Sequence, residues 1–107
     1  MYSTAVYLVS GATINTTGTV SVLGMDNFCA VVSAATTGVY IPTGSVLIDV
    51  RLDPSSDWIN IHQVNYNGIP SGNLKTWTGP IESVRGHVYG RTAGKYDIIC
   101  RYSSAKG

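Results

Sequence analysis

Residues 45–65, SVLIDVRLDPSSDWINIHQVN, decide the fold. Val46, Ile48, Val50 and Leu52 alternate with Leu47, Asp49, Arg51 and Asp53, so one face is aliphatic and the other carries three charges. A period of two marks a half-buried strand; on a helix the same residues would scatter around the 3.6-residue turn. Residues 53–57, DPSSD, then reverse the chain: Pro54 presets φ and lacks a donor, and the flanking Asp and Ser side chains can bond nearby amides. In the return arm, residues 58–64, Ile59 and Ile61 fall on one side and Trp58, Asn60 and His62 on the other. The expectation is a β-hairpin with one shared aliphatic face and an outward face of Asp49, Arg51, Asn60 and His62. An isolated two-stranded ribbon is marginal in water, so the aliphatic face requires a second layer.

Outward from the hairpin the pattern repeats. Residues 5–10 (AVYLVS) and 19–23 (TVSVL) alternate, and residues 28–33 (FCAVVS) form a nearly continuous apolar run, which predicts a central strand covered on both faces. Residues 39–41 offer a short strand ended by Pro42. Beyond the hairpin, residues 66–72 (YNGIPSG) are dense in turn formers and read as a contact loop containing Tyr66 and Ile69. Residues 74–77 predict another short strand, residues 81–89 alternate around Gly86, and residues 90–94 turn the chain. Residues 95–102 close it, with Tyr96, Ile98, Cys100 and Tyr102 opposed to Asp97, Ile99 and Arg101. The best helical candidate, residues 26–35, fails on its β-branched content. Seven to nine short strands with no significant helix predict one all-β domain over residues 1–107, an antiparallel β-sandwich of jelly-roll or Ig-like type.

Composition narrows the function classes. Only 12% of the residues are charged and the net charge is +1, so hydroxyls and amides solvate the surface; this suits a chain that lives within an assembly. The seven Lys and Arg are scattered and matched by six acids, which leaves no basic stripe for nucleic acid. No basic segment leads into a long apolar run, so the expectation is a chain without signal peptide or membrane span. Cys29 and Cys100 are too few for a metal site or a disulfide framework and read as buried thiols; a bridge between them requires adjacent strands.

The parts of known catalytic chemistries are missing. His62 and His87 fall on separate strands with no Cys or carboxylate at ligand spacing, and Asp53 and Asp57 read as turn caps in preference to calcium ligands. Glu82 is the only glutamate, and there is neither a G-x-S-x-G motif nor a glycine-rich loop before a helix. No catalytic, cofactor-binding or metal-ligating residue is assigned, and no cofactor is expected. The chemical excess is aromatic: seven Tyr and two Trp against one Phe, types that suit surfaces with one wet and one dry end. Trp58 reads as a cap on the core and Trp77, between two threonines, as the exposed indole. The candidate interface residues are Tyr40, Tyr66, Ile69 and Trp77.

The order of features in the second half resembles small β-sandwich virion proteins of tailed bacteriophages. The features are the V-x-I-x-V-x-L alternation within residues 45–53, the turn PSSD, the Trp-led strand WINIH, and the closing segment IESVRGHVYGRTAGKYDIICRYS. In that segment Val84, Arg85 and Val88 precede the turn Thr92-Ala93-Gly94, and the likeness spans residues 18–101. The resemblance implies a non-enzymatic virion component, made in the host cytoplasm: a capsid decoration (cement) protein, a head fibre, or a small neck or tail protein. Decoration is the favoured expectation, with the sandwich binding the outside of the major capsid protein lattice and associating with itself as a dimer or trimer through a β-edge or an apolar patch. The alternative is a carbohydrate-binding adhesion module in which Trp77, Tyr66 or Tyr40 stacks on a host-surface glycan.

Overall fold

The hairpin read from the sequence forms, and among the described strands it is the one consecutive pair that shares a sheet. The structure, a computed structural model, describes residues 5–22, 27–36, 42–68, 71–79 and 81–103. Its strands are β1 (Val6–Ala12), β2 (Thr16–Ser21), β3 (Asn27–Ala35), β4 (Thr43–Arg51), β5 (Ile59–Asn67), β6 (Ser71–Thr78), β7 (Ser83–Ala93) and β8 (Lys95–Ser103). They form two four-stranded antiparallel sheets, ordered β1-β8-β3-β6 and β2-β7-β4-β5. Every connection other than β4–β5 crosses from one sheet to the other. This interleaving is the jelly-roll order, which settles the choice against the Ig-like arrangement.

The core lies between the sheets. Val46, Ile48, Val50, Val84 and Val88 enter from one side and Ala30, Val32, Tyr96, Ile98 and Cys100 from the other, each at most 2% exposed. Full burial of a side chain such as Ile48 or Ile98 contributes about 1.5–3 kcal/mol. Gly86 lies against this layer: a Cβ there would stand 2.9 Å from Ile98 Cδ1 and 3.0 Å from its Cγ2. Gly18 serves a different purpose, because a Cβ on it would fall on the Leu8 carbonyl, and so it lets β2 cross close over β1.

Several expectations are corrected by the tertiary structure. Val46, Ile48 and Val50 are buried as read, but Leu52, past the end of β4, is 61% exposed and Ile59, on the edge strand β5, 51%. Asn60 and His62 do not share an outward face. Ile48 pairs with His62 while Asp49 pairs with Asn60, so a bulge at Ile61 resets the alternation, and Asn60 Nδ2 donates to the carbonyls of Ile48 (3.2 Å) and His62 (3.0 Å) there. The run in β3 is not covered on both faces. Phe28, Ala30, Val32 and Ala34 point inward, whereas Val31 is 38% exposed on a face with no third layer. The expected loop at 66–72 is shorter, since β5 continues through Asn67 and β6 begins at Ser71. The turn expected at 90–94 narrows to Gly94 because β7 runs on to Ala93. The strand expected at 39–41 lies outside the described residues.

Cys29 and Cys100 sit on adjacent strands and are free. The register explains why: Ala30 faces Cys100 and Cys29 faces Arg101, so the two thiols point to opposite faces of the sheet. Burial, with a smaller contribution from Cys29, pushes the Cys100 thiol up to about 12. Two outcomes are expected. Alkylation of the dilute native protein at neutral pH should modify Cys29 and leave Cys100 until the chain unfolds, read by mass spectrometry of digests; equal labelling would contradict the register. In chemical denaturation, Gly86→Ala should cost about 1–3 kcal/mol, an ordinary overpacking penalty. Gly18→Ala should cost more, because it meets backbone that cannot swing away.

Candidate interaction surface

The two outer faces of the sandwich differ in chemistry. On the β2-β7-β4-β5 sheet, the register sets Asp49 beside Arg85 on β7 and beside Asn60 on β5. Asp49 points outward yet is only 4% exposed. Its Oδ2 accepts from Arg85 Nε at 3.0 Å and Nη2 at 2.8 Å and lies 3.3 Å from His87 Nε2, while its Oδ1 accepts from Asn60 Nδ2 at 3.0 Å. A carboxylate so covered requires such partners, since an unpaired one would be strongly destabilising. One strand position along, Arg51 Nε donates to Glu82 Oε1 at 2.8 Å. The Ser83 hydroxyl also donates to Glu82, and that bond, opposed by burial and assisted by Arg51, holds the carboxyl below its usual range. Trp58 covers the group, with the guanidinium carbons of Arg51 and Arg85 each 4.6 Å from its ring centroid, within cation–π reach. Further along, Ser45 Oγ and Gln63 Nε2 both donate to Asn65 Oδ1, at 2.7 and 3.0 Å. The charges of this face are satisfied by one another.

The outer face of the β1-β8-β3-β6 sheet is apolar at its centre. Tyr7 pairs with Ile99, Ile99 with Val31 and Val31 with Leu74, so a single row of side chains runs across all four strands. Tyr7 is 56% exposed, Val31 38% and Leu74 59%, and Ile99 is half-buried. The row on one side is Arg101, Cys29 and Thr76, and on the other Asp97, Ser33 and Gly72. A depression of about 460 Å³ adjoins the row, lined among others by Asn27, Cys29, Leu74, Thr76 and Arg101. Arg101 makes no salt bridge among the described residues, and Asp97 Oδ1 accepts from the Gly11 amide at 2.7 Å. An antiparallel sheet with one face on the core normally presents polar residues on the other, so the continuous apolar row makes this face the candidate contact surface.

Of the residues expected to form the interface, Tyr66 falls in the core and Trp77 lines the depression beside the row. Tyr66 is 5% exposed in β5, its ring edge-on to Tyr96 at 5.6 Å, so the ring belongs to the core and cannot stack on an outside group. Trp77 pairs with Phe28 and packs against the core, its indole N–H buried without a hydrogen-bond partner among the described residues. Tyr40 and Ile69 lie outside the described residues. The two indoles exchange roles: Trp58 lies on the polar outer face and Trp77 leans inward. Tyr7, Val31, Leu74 and Ile99 were missed as a group because they come from four segments distant in sequence. The available signal was the odd-numbered parity of Val31 and Ile99 within otherwise buried runs. Among the described residues, no group of three or more His, Cys, Asp or Glu is placed to hold a metal ion, and no helix is long and apolar enough to cross a membrane.

No family model matches the chain, and no curated protein matches it in sequence. Solved structures share its fold. The crystal structure of the SPBc2 prophage-derived protein YomS is similar with a TM-score of 0.67 at 10% identity, covering 95% of this chain and 94% of that one. The K2 cleaved adhesin domain of Lys-gingipain is similar with a TM-score of 0.57 at 11% identity, covering 92% of this chain and 70% of that one. At such identities the likeness is one of architecture, and architecture alone does not carry function.

The Glu82 pairing has a pH signature. Its folded-state pKa lies below the ordinary 4.5, so its stabilising contribution is whole above that value and is lost as pH falls through the folded pKa. The stabilities of the wild type and Glu82→Gln, measured by denaturant unfolding from neutral to acid pH, should therefore differ at neutrality and converge below 4.5. A gap that does not change with pH would contradict the pairing.

Proposed function

We propose that the protein is a non-enzymatic structural component of a tailed-phage virion that decorates the capsid, binding the outside of the major capsid protein lattice and adding contacts across its seams. The observation that carries the structural role is the contrast between the outer faces: the charges of one are paired with one another, while the other is apolar and open along its central row. Such a surface is suited to holding partners together. The depression beside the row is lined by a single charged side chain, Arg101. The likeness in fold to a prophage-derived protein over nearly the whole of both chains supports the virion setting.

Three of the four edge strands carry features that disfavour pairing at the edge, which favours association through a face. Lys75 shares the inward parity of Ala30 on the edge strand β6, and register shifts interrupt the edge strands β1 and β5. Inward charges and bulges are the devices by which edge strands resist pairing with further chains. The glycan-stacking alternative is weakened by the burial of Tyr66, while Trp77, packed against the core, still lines the depression.

Decoration fixes a stoichiometry. Purified protein added to capsids that lack it should bind to saturation at a constant number of copies per capsomer, counted by quantitative mass spectrometry of the particles. Saturation at a handful of copies per particle would contradict decoration and indicate a neck or tail position.

A further inference from the structure

We infer that the outer face of the β1-β8-β3-β6 sheet is the interface of a two-fold symmetric dimer of this chain. The inference concerns the chain alone and stands whether or not a capsid is its other partner. It rests on the arrangement of residues about the apolar row. A two-fold axis lying in the face along the row Tyr7, Ile99, Val31, Leu74 places each of these residues over its own copy and reverses the strand direction. Residues two positions before the row in one copy then meet residues two positions after it in the other. On β8 these are Asp97 and Arg101, so Arg101 of each copy stands opposite Asp97 of its partner, and two ion pairs flank the apolar seam. On β3 the opposed residues are Ser33 and Cys29, and on β6 Gly72 and Thr76, all small enough for the sheets to approach.

This self-complementarity is what an isologous contact requires, since the same patch must serve both sides. The geometry is that of two aligned sheets packed face to face, which lie about 10 Å apart with strands within about 30°. The size sets the strength. Four strands of seven to nine residues span a face of roughly 19 by 30 Å, about 600 Å² per copy, near the low end of specific interfaces. The dimer is therefore concentration-dependent. Arg101, exposed and without a salt bridge among the described residues, gains one across the seam.

Sedimentation equilibrium over a dilution series tests this with a charge swap. The wild type should pass from dimer to monomer on dilution. Arg101→Asp and Asp97→Lys should each weaken the dimer about a hundredfold or more, because each places like charges opposite one another. An equimolar mixture of the two should regain the dimer as a heterodimer, since both cross-seam pairs are then of opposite sign. Asp97 also holds the Gly11 amide, so circular dichroism must show that Asp97→Lys is folded. If it is not, Arg101→Asp and Leu74→Asp, both at exposed positions, must still dissociate the dimer. A wild type that is monomeric throughout, a dimer that survives Leu74→Asp, or folded variants whose mixture stays monomeric would each overturn the inference. A monomeric wild type whose capsid binding is lost in Leu74→Asp would assign the face to the capsid and likewise overturn it.

Discussion

The register of β8 between β1 and β3 is the constraint on which the rest depends. It holds Tyr96, Ile98 and Cys100 at 0% exposure inside the sandwich and turns Asp97, Ile99 and Arg101 to the outside. A slip of one residue would exchange these sets, carrying two charges into the core and a tyrosine and an isoleucine into water. Burial of the inner set fixes the register strongly. The composition of the outer face is thus set by the requirement that builds the core, and the surface on which function is proposed inherits its precision from packing.

The two outer faces illustrate two ways of treating an exposed sheet. On β4 and β7 charge is brought in, and Asp49 and Glu82 are each held by an arginine and additional donors, with Trp58 over both guanidinium groups. Within that network the charges are paired with one another. On β1, β8, β3 and β6 the centre of the face is hydrocarbon, and its flanking charges have opposite sign on either side of the row. Apolar exposure of this kind is tolerated in a monomer only in small patches, and a larger one finds its place in an assembly.

How much of this was legible in the sequence depends on the distance between partners. The period-two alternation in residues 45–53 and 95–102 is readable because it is local, and Val46, Ile48, Val50, Tyr96, Ile98 and Cys100 lie in the core as it implies, with Leu52 the exception. The β4–β5 hairpin was readable because it is the one consecutive pair in a sheet; the remaining pairings join strands far apart in the chain. The bulge at Ile61 has no local signature, so the parity of Asn60 and His62 was misjudged. Trp58 and Trp77 were exchanged because an indole suits either the core or an arginine-lined surface, and only the register decides between them. The apolar row was hidden for the same reason: four strands contribute one residue each, and each looks unremarkable in its own segment.

On the proposed reading, the face carrying Tyr7 and Leu74 is where this sandwich makes contact. Hydroxyl-radical footprinting of the protein in its assembled state, against the dilute free chain, tests it most directly. Tyr7 and Leu74, 56% and 59% exposed in the single chain, should lose labelling on assembly. Leu52 and Tyr89, 61% and 56% exposed away from that face, serve as internal references. Undiminished labelling of Tyr7 and Leu74 in the assembled protein, with loss at Leu52 or Tyr89 instead, would contradict it.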